Sequence, residues 1–348
     1  MSTSSPESDI NIIRQSSRPI IAVVTMVAGL FLLVLLIGLS IATGSSAISL
    51  NTVWQAVIHF NPDLQQHQVI RELRIPRALA GVLVGACLAV AGALMQGLTR
   101  NPLADSGLLG LNAGAGFAIA ICFAFFPSVK SAGLMLFSFA GAAVAAGIVY
   151  GIGSFTKGGI TPIRLTLAGA AVSALFAALS TGIAVYFNLG LELSFWYAGG
   201  LGGTKWTQLD MVFPWTVIAL VGALLLSRSV TLLNLGEEAA SGLGLRTGWV
   251  KVATLMVVMV LAGASVSIAG MIAFVGLMVP HLARYLVGVD YRWIIPCSAV
   301  LGSLLVVIAD IVGQWLDPTY GTPLGAVIAL IGVPFFIFFV RRSGRGLI

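Results

Sequence analysis

Ten apolar stretches, most of them close to the roughly 20 residues an α-helix needs to cross a bilayer, leave this chain few ways to fold. They fall at 20–43, 78–98, 108–126, 132–154, 165–187, 209–227, 250–268, 271–286, 293–314 and 324–340. In hydrocarbon every backbone N–H and C=O must be satisfied within the protein, so a run of this kind is a helix and a set of them is a bundle. Composition agrees: 58% of residues are hydrophobic and only 9% are charged, against about 45–50% and about 25% in soluble domains. The 41 glycines would weaken soluble helices, but small residues let membrane helices approach closely. The expected fold is an all-α polytopic membrane protein of about ten transmembrane helices. We read residues 1–19 as a cytosolic N-terminal tail and 20–348 as a single transmembrane domain with cytosolic helices near 233–246. The first run exceeds the about 7–15 apolar residues of a signal peptide and lacks an Ala-x-Ala site, so it reads as a retained helix.

Positive loops resist translocation and set orientation. With both termini in the cytosol, Arg14, Arg18, Arg100, Lys157, Arg164, Arg228, Arg246, Lys251, Arg284, Arg292, Arg341, Arg342 and Arg345 lie inside, and only Arg71, Arg74, Arg77, Lys130 and Lys205 lie outside. Cations scattered at helix ends also explain the net charge of +6 without a nucleic-acid partner. The outer cluster Arg71, Arg74, Arg77 breaks the pattern and calls for its own cause.

Catalytic chemistry has little to stand on. The chain has no His-Glu-x-x-His, no Gly-x-Ser-x-Gly and no Walker sequence, so it offers neither a hydrolytic centre nor its own ATP site. His59, His67 and His281 are scattered, and Cys87, Cys122 and Cys297 are isolated in apolar runs, which indicates neither a metal site nor a disulfide framework. Asp310 is the one clear ionisable residue inside a span. A proton relay uses several such groups, so Asp310 reads as a carboxylate bonded to a neighbouring helix near the outer end of its own. The segment 189–208 contains Glu192, the glycines Gly199, Gly200, Gly202 and Gly203 and the aromatics Trp196, Tyr197 and Trp206, which read as an interfacial belt or as a short outer helix. On the cytosolic side Asn234 and Glu237 have the spacing of a capping box, which predicts a short helix that starts there and ends at Ser241–Gly242. Its Glu237 and Glu238 oppose anionic lipid, so it is better suited to a protein partner.

These motifs resemble the FecCD-type permeases, the iron-siderophore, haem and cobalamin branch of the ABC importers. The resemblance rests on LRIPR at 73–77 running into GVLVGACLAVAGALMQGLTRNPLADSGLLGLNAGAG, on LNLGEEAASGLGL at 233–245, on GMIAFVGLMVPHLARYLVG at 270–288, and on TPLGAVIALIGVPFFIFFVRR ending at 342. It implies a type II ABC importer permease of the bacterial plasma membrane that translocates an Fe(III)-siderophore, with cobalamin or haem as the alternative cargo and a secondary transporter as the more distant one. The implied partners are a second permease subunit, identical or paralogous, two cytosolic ATPases and an extracytoplasmic substrate-binding protein. This chain would bind no cofactor, the ATP and Mg being used by the ATPase. The resemblance places binding-protein docking on Arg74 and Arg77, with membrane headgroup anchoring as the competing reading. It places ATPase coupling on Asn234, Leu235, Gly236, Glu237, Glu238, Ala239, Ala240, Gly242 and Gly244. The cytosolic gate would comprise Asn101, Pro102 and Leu103 with Thr161, Pro162 and Ile163, although Asn-Pro and Thr-Pro are also ordinary turn starters. Gln314 stands where many relatives carry a third outer arginine.

Overall fold

The computed structural model describes residues 17–44, 48–155, 162–317 and 322–343. Most of the expected N-terminal tail, Thr161 and the last five residues lie outside them. Fourteen α-helices follow one another among the described residues: α1 Pro19–Ala42, α2 Leu50–Ile58, α3 Gln65–Val69, α4 Ile75–Thr99, α5 Leu111–Phe125, α6 Ser131–Phe155, α7 Pro162–Phe187, α8 Gly190–Ala198, α9 Trp206–Asn234, α10 Glu237–Gly242, α11 Thr247–Ala269, α12 Val275–Val287, α13 Tyr291–Leu316 and α14 Leu324–Ser343. Seven of the apolar helices are long enough to cross a membrane, and α5, α12 and the Leu324–Ile337 stretch of α14 are shorter apolar ones. Together they correspond one for one with the ten stretches read from the sequence.

Two spans are shorter than hydropathy suggested. Residues 271–286 read as continuous helix, yet the backbone is irregular from Gly270 to Phe274, with Phe274 at φ +69°, and α12 holds only 13 residues. Similarly α5 is preceded by a 3-10 turn, Ser106–Leu109, which the Asp105 carboxylate caps by accepting from the Ser106 amide at 2.7 Å. Hydropathy counts apolar side chains and cannot see where a ladder starts. Non-helical backbone at such depth is tolerated where protein, not lipid, surrounds it, and Gly270, Ile272 and Val275 are buried.

The helix α4 is the axis of the bundle, most of it enclosed by α9, α11, α12 and α13, whereas α1 and α7 show most of their length to the surroundings. Its sequence permits this, since nearly every face carries Ala, Gly or a medium apolar side chain, and such a helix is buried all round. It runs antiparallel to α13, with Arg77 beside Asp310, Gly85 against Gly302 and Gly97 against Tyr291. At Gly85 the fit is backbone to backbone: a β-carbon there would overlap the Gly302 carbonyl, and one at Gly302 would overlap that of Gly85. Without a hydrophobic force between membrane helices, such contact is what holds them together. We expect Gly85→Leu to prevent α4 and α13 from closing. Overpacking costs about 1–3 kcal/mol where side chains can yield, and here only backbone could move. The yield of monodisperse protein after detergent extraction checks it, and wild-type yield would contradict it.

The bundle has two ends. At one lie the N-terminus of α4 and the C-termini of α1, α11 and α13, and they meet around Arg74 and Arg77. At the other lie α10, the C-terminus of α9 and the N-terminus of α11, near Arg100. Beside the first end α2 buries Val53 and Ala56 on Ile41, Ile70 and Ala78, and leaves Leu50, Trp54, Val57 and Ile58 exposed.

Candidate functional site

At the Arg77 end the chain enters α4 through a wide π turn, Ile70–Arg74. Arg74 is buried, 9% exposed, and its Nη1 donates to the Ile41 carbonyl at 2.7 Å and the Ala42 carbonyl at 3.1 Å. These belong to the last turn of α1, whose carbonyls have no intrahelical donor and whose dipole favours a cation. Arg74 therefore caps α1. One turn on, Arg77 grips Asp310 side-on, with Nε 3.0 and 3.1 Å from the two carboxylate oxygens and Nη2 2.8 Å from Oδ1. Gln314, one turn further along α13, donates from Nε2 to Asp310 Oδ2 at 2.8 Å. The sequence reading of Asp310 as a carboxylate tied to a neighbouring helix is met by Arg77 on α4. Arg71 lies over the Phe60 ring at 4.5 Å, and its carbonyl accepts from the Trp206 indole at 2.8 Å.

These groups line a cavity of about 680 Å³ bounded by the end of α1, the start of α4, the helix α8 and the glycine-rich link 199–203. The outer helix foreseen in 189–208 is α8, and its Trp196 and Phe195 form part of the wall. The link is held by the Gly200 amide, which donates to the Ala269 carbonyl at 2.9 Å, and by the Leu324 amide donating to Gly199.

At the other end the expected capping box does not form. Asn234 is the last residue of α9, because Leu233 is still on the buried face of that helix. The chain turns at Gly236, φ +129°, a conformation that β-carbons disfavour, and α10 starts at Glu237 with no side-chain cap. It ends at Gly242, as read from the sequence. Ala240 is its buried anchor, while Leu235, Glu238, Ala239, Ser241, Gly242 and Leu243 are exposed. Glu237 accepts from Lys251 Nζ at 2.7 Å, and that bond holds its carboxyl below the usual carboxylate range. Stability from this tie is present above the ordinary carboxylate pKa and is lost as pH falls through the lowered one. An exposed pair of this kind contributes about 0–1 kcal/mol.

Arg100, the left-handed cap of α4 at φ +52°, lines a small hollow with Glu237 and Lys251, and the next turn follows it. There the Asn101 side chain accepts from the Leu103 amide at 3.0 Å, the turn-forming role that Asn-Pro carries generally. Asn101, Pro102 and Leu103 are exposed, Ile163 is 74% exposed near the start of α7, and Pro162 is its first residue. The structure thus groups the residues 234–244 with Arg100 and Lys251, and separately groups Arg74 and Arg77 with Gln314.

A model of the FecCD transport family matches residues 21–342. The chain belongs to the FecCD transport family. It is 51% identical to the iron(3+)-hydroxamate import system permease protein of Bacillus subtilis, covering 96% of this chain and 87% of that one. It is 42% identical to the ferric enterobactin transport system permease protein of Escherichia coli, over 91% of this chain and 95% of that one. The hemin transport system permease protein of Yersinia pestis is 35% identical, over 90% and 95%. A solved structure described as a metal-chelate type ABC transporter in an inward-facing conformation superposes with a TM-score of 0.80 at 28% identity, covering 91% of this chain and 98% of that one. This FecCD chain therefore has the architecture of an ABC importer permease.

Two features escaped the sequence reading. One is the pairing of Arg77 with Asp310, whose members were noted separately but lie 233 residues apart. The other is Asp105, whose capping role was signalled only by its place before Ser106.

Proposed function

We propose that this FecCD chain is the membrane subunit of an ATP-driven importer for an Fe(III)-siderophore, with hydroxamate chelates first. The observation that carries the proposal is the 51% identity, sustained over 96% of the chain, to an iron(3+)-hydroxamate import permease. A second permease, two ATPases and a binding protein complete the assembly. The α10 end faces the cytosol, as the thirteen cations placed on that side by the sequence support. There the exposed face of α10 receives the ATPase, and the turn Asn101–Leu103 with the start of α7 at Pro162 and Ile163 forms the inner gate. The opposite cavity, with Arg74 and Arg77 in its wall, receives the binding protein. Arg74 supplies charge from a buried position and Arg77 supplies the more accessible edge, 24% of its side chain being exposed.

The test is uptake into proteoliposomes holding the permease, its ATPase and its binding protein, with ATP inside. Ferric hydroxamates are expected to accumulate in an ATP-dependent way, and haem or cobalamin not. Accumulation of haem or cobalamin with ferric hydroxamates excluded would overturn the substrate, and uptake without ATP would overturn the class.

A further inference from the structure

The pair between Arg77 and Asp310 raises a difficulty for docking, because an arginine already matched to a carboxylate is a weak magnet for another. Its geometry resolves the difficulty. A guanidinium carries five N–H donors in a rigid plane. Asp310 occupies the Nε–Nη2 edge with both oxygens, and among the described residues Nη1 has no hydrogen-bond partner. Nη1 lies beside Gly202 in the cavity wall, 3.7 Å from where a β-carbon at that position would stand. The absent side chain leaves room for a ligand. Asp310 is itself enclosed, 5% exposed in its side chain, and its Oδ2 is shared with Gln314. Pulling Arg77 off Asp310 would strand a buried charge, which is strongly unfavourable, so an incoming acid meets Arg77 with Asp310 still attached.

We propose that Asp310, supported by Gln314, is a positioning residue for the docking site: it fixes the plane of Arg77 so that the Nη1 edge faces the cavity as a seat for one carboxylate. This rests on the reading of Arg77 as a docking residue. The ligand chemistry is a carboxylate side chain of the binding protein. Gln314 takes part as a neutral donor: a third cation at that position would compete with Arg77 for Asp310, whereas the amide holds the carboxylate still without drawing it away.

Simple charge counting predicts the opposite behaviour. Removing the charge of Asp310 makes the cavity one unit more positive, so an acidic partner should bind more tightly and with a steeper salt dependence. Positioning predicts weaker binding. The permease–ATPase complex in nanodiscs is titrated with its labelled binding protein at several ionic strengths. Asp310→Asn keeps the shape but loses the two-oxygen grip, and we expect affinity to fall roughly ten- to a hundredfold, the size of one misplaced charge-assisted hydrogen bond. Asp310→Glu, which restores the carboxylate, should recover most of the loss. In an Arg77→Ala background Asp310→Asn should have little further effect. Gln314→Leu, which leaves the ion pair intact, should weaken docking in the same direction by a smaller factor, and it keeps the test open where Asp310→Asn fails to fold. Unchanged or tighter docking by Asp310→Asn, or, where that variant is not recovered, unchanged docking by Gln314→Leu, overturns the positioning role. Full docking by Arg77→Ala overturns instead the docking reading on which it rests.

Discussion

Arg74→Glu is expected to leave little folded permease in the membrane, whatever it does to docking. The wild-type guanidinium is buried against two carbonyl oxygens at the end of α1, and a carboxylate there would face acceptors with no proton to offer. It would also sit at the negative end of a helix dipole. Stranding a buried charge costs about 3–5 kcal/mol, a large part of the about 5–15 kcal/mol by which proteins are stable. Arg77→Glu should behave similarly, since it sets two carboxylates against each other where Asp310 is enclosed. Reversing both arginines therefore tests folding before it tests docking. The swap Arg77→Asp with Asp310→Arg rebuilds the pair and should recover folded protein but not docking, because the cation then projects from α13. Detergent-extracted yield and thermal midpoint measure the first effect, and binding-protein titration the second. If Arg74→Glu is recovered at wild-type yield with an unchanged midpoint, Arg74 is not the cap of α1.

The spans were legible because their signal is additive: some twenty apolar residues in a row outweigh any single error, and all ten stretches became helices. The starts of α5 and α12 were not, since irregular backbone and helix look alike in hydropathy when both are buried. At α10 the Asn234–Glu237 spacing promised a cap, but the burial of Leu233 carried α9 past it and left Gly236 to make the turn. The Arg77 end was legible as a violation of the charge rule, which named the residues without their contacts. That Arg74 caps a helix 32 residues earlier and that Arg77 meets a carboxylate 233 residues later are tertiary facts. No local pattern in one sequence encodes them.

Glu238→Lys is expected to disable coupling while leaving the permease intact, and the structure separates it from its neighbour. Glu237 is tied to Lys251 and lies near Arg100, so Glu237→Lys gathers three cations around one hollow and should loosen α10 itself. Glu238 is exposed on a six-residue helix whose buried residue is Ala240. Exposed substitutions of this kind usually change stability by no more than about 0.5 kcal/mol, so extraction yield and thermal midpoint should stay at wild-type values. At an interface, however, a charge set against its partner's opposite is worth roughly 1.5–7 kcal/mol, and reversal turns that attraction into repulsion. Recruitment of the ATPase should therefore fall at least tenfold, an effect of about 1.4 kcal/mol, and substrate-stimulated hydrolysis should fall with it. Co-purification and hydrolysis in the assembled complex read this out, with an acid-to-base exchange reversed on the ATPase as rescue. Normal recruitment and full uptake by Glu238→Lys would remove α10 from the coupling surface. Loss of both with a lowered midpoint would mean that the charge holds α10 in place and does not meet the ATPase.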